Sequence, residues 1–311
     1  MTPERLLFLA LLVIPIAVAV LNLGWMGAMF LVVLWLLLRW FVTLKGLMAR
    51  GRDDLQFDTI AASHFVEKVR WCLDRANIPY TEHQSVGTLG AFFTGRSVPR
   101  LRVRTGNVTS SVGNSPEILR YLWGRYGHES AEDRAFLKPT PERVDWEKRL
   151  DRYGVKLQVW VYFHMIQHPE KLAKVWGLDD PNAPLLQRWF AKLAGPLLRK
   201  MIALSFNVNA RSVVSAKEHI EKLLTDTEAR LAESDFLVGN ERSYVDYAFA
   251  GLSSLWLLPE QFGNGKSEYV RMAREDVPKE LGEDADAWRE RFPATVSFLD
   301  NLYQNERRNK A

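Results

Sequence analysis

Two serines that precede helical segments are the residues of this chain best suited to bind an anion. Ser63 is followed by His64 and by a run over 65–76 whose apolar residues recur at helical spacing. In Asn114-Ser115-Pro116-Glu117, Ser115 takes the position of a helix N-cap and proline the first helical position. A serine hydroxyl and the unpaired N–H groups of a helix N-terminus together attract negative charge. Each serine also fits a purely structural role as a cap, so both interpretations stay open.

Other residue patterns that could carry chemistry are weaker. Cys72 is the single cysteine, and without a CxxC motif it excludes an internal disulfide, a dithiol redox centre and a cysteine-based zinc site. His164 and His168 are four residues apart on a predicted helix, but no HExxH motif accompanies them, so we expect no metal. Cys72 falls in the middle of a predicted helix, and we expect it to be a small buried hydrophobic residue.

The basic excess of the chain lies in its N-terminal segment. The formal net charge is +4, of which residues 1–50 contribute +3. The remaining residues carry 37 basic and 36 acidic groups and are close to neutral. Nucleic-acid binding needs a basic surface on the folded domain, so we expect no nucleic-acid partner.

A long uncharged segment near the N-terminus predicts a membrane anchor. The 33 residues between Arg5 and Arg39 carry no charge. As one helix they would extend for about 50 Å, beyond a hydrocarbon core of about 30 Å, and Asn22-Leu23-Gly24 suits a turn. We therefore predict a hairpin of two short helices, about 6–21 and 24–44, that spans or dips into a membrane, with the following domain facing the cytoplasm. The alternative is a signal peptide, but no small-x-small cleavage site follows the first apolar run.

The elements that must position the two serines form a small α/β unit. A strand over 55–60, the helix over 65–76 and a strand over 78–83 predict a βαβ unit with parallel strands. A short helix near 90–93, two strands (100–104 and 108–111) and a helix ending near Tyr126 follow. From Pro141 onward the periodicity is helical, with candidate helices over 141–167, 184–204, 213–233, 244–258 and 288–305.

Four sequence elements, in this order, resemble those of cytosolic-type glutathione S-transferases. They are Ser63 to Trp71 with Ile78-Pro79-Tyr80, Val98-Pro99, Asn114 to Leu122, and Phe236-Leu-Val-Gly239 with Ser243-Tyr-Val-Asp246. The resemblance covers roughly residues 53–305. It implies an α/β thioredoxin-like domain over 51–128 and an all-α domain over 129–311, preceded by the membrane anchor and a basic connector over 1–50.

The resemblance implies a glutathione site and assigns residues to it. Ser63 would donate a hydrogen bond to the glutathione thiolate, the nucleophile of these enzymes. A cis Val98-Pro99 bond would turn the Val98 backbone toward the cysteinyl residue of glutathione. Asn114 and Ser115 would hold the γ-glutamyl end, and Arg96 the glycyl carboxylate. His64, Trp160 and Phe163 are the candidates for the substrate side.

Two functions follow from this resemblance. One is a membrane-anchored glutathione transferase-like enzyme that conjugates glutathione, as co-substrate, to a lipophilic electrophile; its partners would be membrane lipid and a second copy of the chain. The other is a noncatalytic scaffold that uses the fold to dock a protein at the membrane. Serine rather than cysteine at position 63, and Asn114 where the family often has Glu or Gln, favour the scaffold.

Overall fold

The computed structural model describes residues 3–48, 51, 53–87, 98–128 and 133–307. Its contacts divide the chain into two compact units. The first comprises Met1–Asp54 and Arg104–Ser110, and the second comprises Leu55–Val103 and Ser111–Ala311. Most of the α/β part of the chain therefore lies in the same compact unit as the helical part, while residues 53–54 and 104–110 belong to the first unit.

The N-terminal helix α1 (Pro3–Leu47) is interrupted where the turn was predicted. Gly24 has φ 66° and ψ −175°, which is not helical and suits a residue without a Cβ atom. Within the described residues, Gly24–Gly46 is the helix that is long and apolar enough to cross a membrane, and 6% of its apolar window is buried. The finer expectation, a hairpin with arms 6–21 and 24–44, stays a prediction.

A four-stranded sheet forms the α/β part. Its strands are β1 (Asp53–Ile60), β2 (Thr81–Ser85), β3 (Arg100–Thr105) and β4 (Val108–Gly113), in the order β2-β1-β3-β4. Helix α2 (His64–Arg75) connects β1 to β2, which pair in parallel with Gln56 opposite Thr81. The predicted βαβ unit is thus confirmed, and it places the start of α2 at the end of β1. The short helix predicted near 90–93 lies outside the described residues.

Helices make up the rest of the second unit as described. They are α3 (Ser115–Tyr126), α4 (Pro141–Met165), α5 (Pro169–Val175), α6 (Leu185–Ser205), α7 (Ala210–Leu231), α8 (Tyr244–Leu257), α9 (Lys279–Arg291) and α10 (Pro293–Asn301). The predicted single helix over 288–305 is wrong. The helix breaks at Phe292, whose backbone dihedral angles (φ −125°, ψ 62°) are not helical. The cause is Pro293, because a proline sterically disfavours the helical conformation of the residue before it. The sequence also missed α5.

Helix α8 is the central helix of the core and packs closely against α2. Its start is a capping box, as expected: the Ser243 side chain accepts from a backbone N–H, while Asp246 accepts from the Ser243 N–H at 2.7 Å. A Cβ atom at Gly251 would lie 2.8 Å from the backbone nitrogen of Lys68 on α2. Cys72 on α2 is fully buried, which confirms its expected role, and burial raises the pKa of its thiol.

Fully buried charged residues also lie on α2, a feature the sequence did not predict. Glu67 binds both Arg70, at 3.0 Å, and Arg307, at 2.7 Å. Lys68 contacts Glu147 at 3.1 Å and Asp151 at 2.8 Å, both on α4. Burial alone would raise the pKa of Glu67, but the charges of Arg307 and Arg70 outweigh it and hold this pKa below its ordinary value. These pairs, the α2 ion-pair cluster, join the α/β part to α4 and to the C-terminal segment.

Candidate functional site

A cavity of about 340 Å³ lies where the N-terminal ends of α2 and α3 approach each other. One wall contains Ser63 and His64 from the start of α2, Val98 and Pro99 from the two positions before β3, and Asn114 from the start of α3. Residues that are up to 51 positions apart in the sequence therefore line one space. Of the predicted site residues, these five are brought together.

Helix α4 forms the facing wall with one of its faces. Val155, Gln158, Val161, Tyr162 and Met165 line the cavity at helical spacing. The remaining wall is apolar and aromatic and includes Leu172, Val175, Trp176 and Phe206. Gln158 was not selected from the sequence, although the spacing of this face would have indicated it.

Trp160 and Phe163, expected on the substrate side, do not line this cavity. Trp160 is fully buried: its Nε1 donates to Asp284 at 2.9 Å and its ring packs against Trp288 at 4.8 Å. Phe163 packs edge-to-face against His164. The physical reason is the helical period, which turns these two side chains away from the face that carries Val161 and Tyr162.

Ser63 combines a structural role with access to the cavity. It is the N-cap of α2, and its Oγ accepts a hydrogen bond from the Val66 N–H at 3.4 Å. Because the oxygen acts as the acceptor in this cap, the hydroxyl hydrogen remains available as a donor. The two interpretations of Ser63, cap and ligand donor, are therefore compatible in one conformation.

His64 is a neutral side chain in the cavity wall. Its Nε2 lies 3.0 Å from the carbonyl oxygen of Gly154, so this nitrogen carries the hydrogen and donates it. Burial lowers the pKa of His64 to about 4, although the bond to Gly154 acts in the opposite direction. The imidazole is therefore uncharged at neutral pH.

A backbone hydrogen bond joins the start of α3 to the residue that precedes β3. The Asn114 N–H donates to the Pro99 carbonyl oxygen at 3.2 Å. Asn114 has φ 71° and ψ 136°, a backbone conformation uncommon for a residue other than glycine and often found at functional sites. The Val98–Pro99 bond is cis, as the resemblance implied.

Ser115 differs from the expectation in its position. Asn114 is the N-cap of α3, and Ser115 is the first helical residue, not the cap. Its side chain is fully buried, and Oγ has no hydrogen-bond partner in the part of the chain that the structure describes. Such an unmatched buried hydroxyl is uncommon, and it lies beside the residue that reaches the cavity.

Electrostatically, the described part of the cavity wall depends on helix ends instead of charged side chains. Its described lining contains no Asp, Glu, Lys or Arg. The N-termini of α2 and α3 supply partial positive charge. Burial raises the pKa of the Tyr162 hydroxyl, which keeps it protonated as a donor. Arg96, predicted for the glycyl carboxylate, lies outside the described residues.

The two histidines of the His164/His168 pair lie on different elements. The Nε2 atom of His164 lies 3.8 Å from an Asp284 carboxylate oxygen, and His168 is on the other side of a helix end, at the start of α5. Among the residues with described positions, no group of three or more His, Cys, Asp or Glu side chains could hold a metal ion.

Comparison with known proteins reveals a similarity of fold. No family model and no curated protein matches the chain. A solved glutathione S-transferase of Methylobacillus flagellatus with glutathione bound has 12% identity and a TM-score of 0.51, and the match covers 81% of this chain and 96% of that one. A transferase of Methylobacterium radiotolerans in complex with glutathione sulfonate has 16% identity, coverages of 81% and 91%, and a TM-score of 0.48. The chain thus has a fold like that of glutathione S-transferases, with a small mixed sheet followed by a mostly helical part.

Proposed function

We propose that this chain is a membrane-anchored glutathione transferase-like enzyme. The observation that carries the proposal is the convergence of two helix N-termini, the Ser63 hydroxyl and the Val98 backbone on one cavity. A small anionic peptide with a thiol matches these features, because its negative groups suit helix N-termini and its sulfur suits a hydroxyl donor. The fold similarity supports the same ligand.

Each part of glutathione has a candidate partner. The γ-glutamyl carboxylate would bind at the N-terminus of α3, where Asn114 lines the cavity and Ser115 holds an unmatched hydroxyl. The cysteinyl backbone would pair with Val98 as an added extended strand. Arg96 remains the candidate for the glycyl carboxylate. The thiol then lies beside Ser63 at the start of α2.

The chemistry proposed for Ser63 is stabilisation of the thiolate. A free thiol has a pKa of about 8.5, so a donor and a helix N-terminus are needed to keep the sulfur ionised at neutral pH. The thiolate attacks an electrophilic carbon and a carbon–sulfur bond forms. The bonding electron pair leaves with the departing group, and the thiol proton has already passed to solvent.

The apolar wall of the cavity favours a lipophilic electrophile. Val155, Val161, Met165 and Phe206 offer apolar surface opposite Ser63. The membrane anchor fits such a substrate, because lipophilic compounds concentrate in bilayers. We propose that the 24–46 segment spans the membrane and that residues 6–21 form the other arm of a hairpin. The second unit would then face the cytoplasm and pair there with a second copy of the chain.

Calorimetric titration of the purified full chain with glutathione in detergent tests the proposal. We expect saturable binding, and weaker binding of an analogue with alanine in place of cysteine. If the folded chain releases no heat at millimolar glutathione, the enzyme proposal fails. The noncatalytic scaffold would then be the better interpretation, and Asn114 together with the uncharged described lining would support it.

A further inference from the structure

Helix α6 exposes a continuous apolar stripe on the surface of the second unit. The stripe consists of side chains that are 38–77% exposed: Leu185, Leu186, Trp189, Phe190, Leu193, Leu197, Met201 and Leu204. Their spacing of three and four residues puts most of them on one face of the helix. Soluble monomers rarely expose apolar patches of this extent, so the stripe indicates an interaction surface.

The opposite face of α6 holds the helix against the protein. Ala191, Leu198 and Ile202 are buried, and the Gln187 side chain accepts a hydrogen bond from the Val86 N–H at 3.0 Å. The stripe is therefore not the core-facing side of the helix. It is a second apolar surface, presented outward by a helix that is already packed.

Only basic charges occur on α6. Arg188, Lys192, Arg199 and Lys200 are its charged residues, and the helix contains no Asp or Glu. In a helical projection the first three lie together along one edge of the stripe. Lys192 pairs with Asp179 at 3.1 Å, but this pair is exposed and weak. An apolar face bordered by basic residues is complementary to an apolar surface with negative charge at its rim.

We propose that the α6 stripe lies in the interface of a membrane containing anionic lipids. Its aliphatic side chains would insert among the acyl chains, Trp189 and Phe190 would lie at the head-group level, and the basic edge would contact anionic head groups. The proposal shares with the proposed function one premise, the membrane anchoring of the chain by α1. Tethering raises the effective concentration of the lipid surface near α6.

The charges favour lipid over a second copy of the chain. In a symmetric dimer the same surface patch meets itself, so the basic residues of α6 would approach those of its partner. Like charges brought together across an interface are unfavourable, and α6 has no acidic residue to compensate them.

Membrane contact through α6 would also bring the cavity close to lipid. The helix ends at Ser205, and the next residue, Phe206, lines the cavity and stacks on Tyr162 with ring centroids 5.5 Å apart. A substrate dissolved in the bilayer would then reach the cavity from the α6 side. The substrate class would be electrophiles that partition into membranes.

Lipid quenching of a fluorescent label on the full chain tests the proposal. Leu193→Cys, labelled with an environment-sensitive dye, reports on the stripe; Val214→Cys on α7, 57% exposed against 69% for Leu193, is the matched control. Cys72 is buried and remains unlabelled. In vesicles of phosphatidylcholine and phosphatidylserine, we expect acyl-chain spin labels to remove on the order of half of the emission at 193, and little at 214.

A third label, Leu34→Cys on α1, separates the stripe from the anchor. Quenching at 34 without quenching at 193 overturns the α6 proposal and leaves the anchor intact. Absence of quenching at both positions overturns membrane anchoring as well. Protection of 193 from an aqueous quencher without lipid quenching would mean that a second copy covers the stripe, which also overturns the proposal. Glutathione calorimetry on the same samples tests the enzyme proposal independently.

Two further variants test the chemistry of the contact. Leu193→Glu combined with Leu197→Glu, with the label moved to Met201→Cys, should abolish lipid quenching at 201. Lys192→Gln combined with Arg199→Gln should reduce quenching in vesicles with phosphatidylserine and leave it unchanged in pure phosphatidylcholine. Equal effects in both vesicle types would contradict the proposed role of the basic edge.

Discussion

The start and the middle of helix α2 differ in how they hold polar groups. At its start, Ser63 and His64 are uncharged and line a cavity. One turn later, Glu67, Lys68 and Arg70 are fully buried and charged, and each has an ion-pair partner between 2.6 and 3.1 Å away. Buried charges are tolerated only when they are paired, so this second group can serve only the fold. At the start of the helix, the Ser63 hydroxyl hydrogen stays available to a ligand, as a binding site requires, whereas His64 donates to the Gly154 carbonyl oxygen.

This contrast separates stability from binding along a single helix. Changes in the α2 ion-pair cluster should unfold the protein with little specific effect on ligand affinity. Changes at the start of α2 should lower ligand affinity and have little effect on the stability of the fold. Variants of the two groups therefore test whether the helix is divided in this way.

Glu67→Ala should have the largest effect. It removes a carboxylate shared by the buried guanidinium groups of Arg70 and Arg307. Breaking a buried pair by deleting one partner costs about 3–5 kcal/mol, and we expect a loss of that order in the free energy of unfolding. Denaturant titration of the full chain in detergent measures it. The control, Glu218→Gln at an exposed site on α7, should change stability little. Equal losses for both variants would contradict the buried-pair argument.

Ser63→Ala should affect catalysis more than stability. A hydrogen bond to a charged group contributes about 1.5–3 kcal/mol, so we expect kcat/KM to fall about 10- to 100-fold. Loss of the cap should cost about 1 kcal/mol of unfolding free energy. The rate of glutathione conjugation to a chromogenic electrophile gives kcat/KM, and denaturant titration gives the free energy of unfolding. Ser63→Thr, which keeps a hydroxyl, should retain most of the activity. A Ser63→Ala enzyme with unchanged kcat/KM would leave only the capping role.

Gly251→Ala tests the close packing on which the position of α2 depends. The added Cβ would lie 2.8 Å from the Lys68 backbone nitrogen, so α2 and α8 would have to separate. Overpacking of this kind costs about 1–3 kcal/mol of unfolding free energy. Gly124→Ala on α3, where nothing lies within 4 Å of the added atom, should be neutral or slightly stabilising. If both variants have the same stability, α2 and α8 are not in backbone contact.

His64 should make the stability of the protein depend on pH. Its pKa is about 4 when folded and about 6.5 when unfolded, so the unfolded state binds the proton more readily. The contribution of neutral His64 to the free energy of unfolding is fully present above pH 6.5 and is lost as the pH falls toward 4. Between pH 7 and 5.5 we expect a loss of about 1 kcal/mol from this residue. His64→Gln should show a shallower slope in the same window, because the amide does not titrate. Parallel slopes would mean that His64 is not buried as a neutral group.

The candidates chosen from the sequence fall on one wall of the cavity and leave out Gln158 on the wall formed by α4. Ser63, Val98, Pro99 and Asn114 stand in short motifs that can be recognised one at a time. Tyr162 and Gln158 stand in a long helix where many residues have similar types, and only the orientation of α4 distinguishes them from Trp160. Apart from Arg70, the ion-pair partners of Glu67 and Lys68 lie 79 to 240 positions away and leave no local signal.

Local patterns in the amino-acid order determined the break at Gly24, the parallel βαβ unit, the capping box at Ser243 and most helix positions, because backbone sterics, periodicity and capping act over a few residues. Tertiary structure alone decided which face of α4 meets Ser63, which charges are buried in pairs, and that the α6 stripe points outward. Those outcomes depend on how distant elements pack, since the same amphipathic or charged segment can be buried or exposed according to its neighbours.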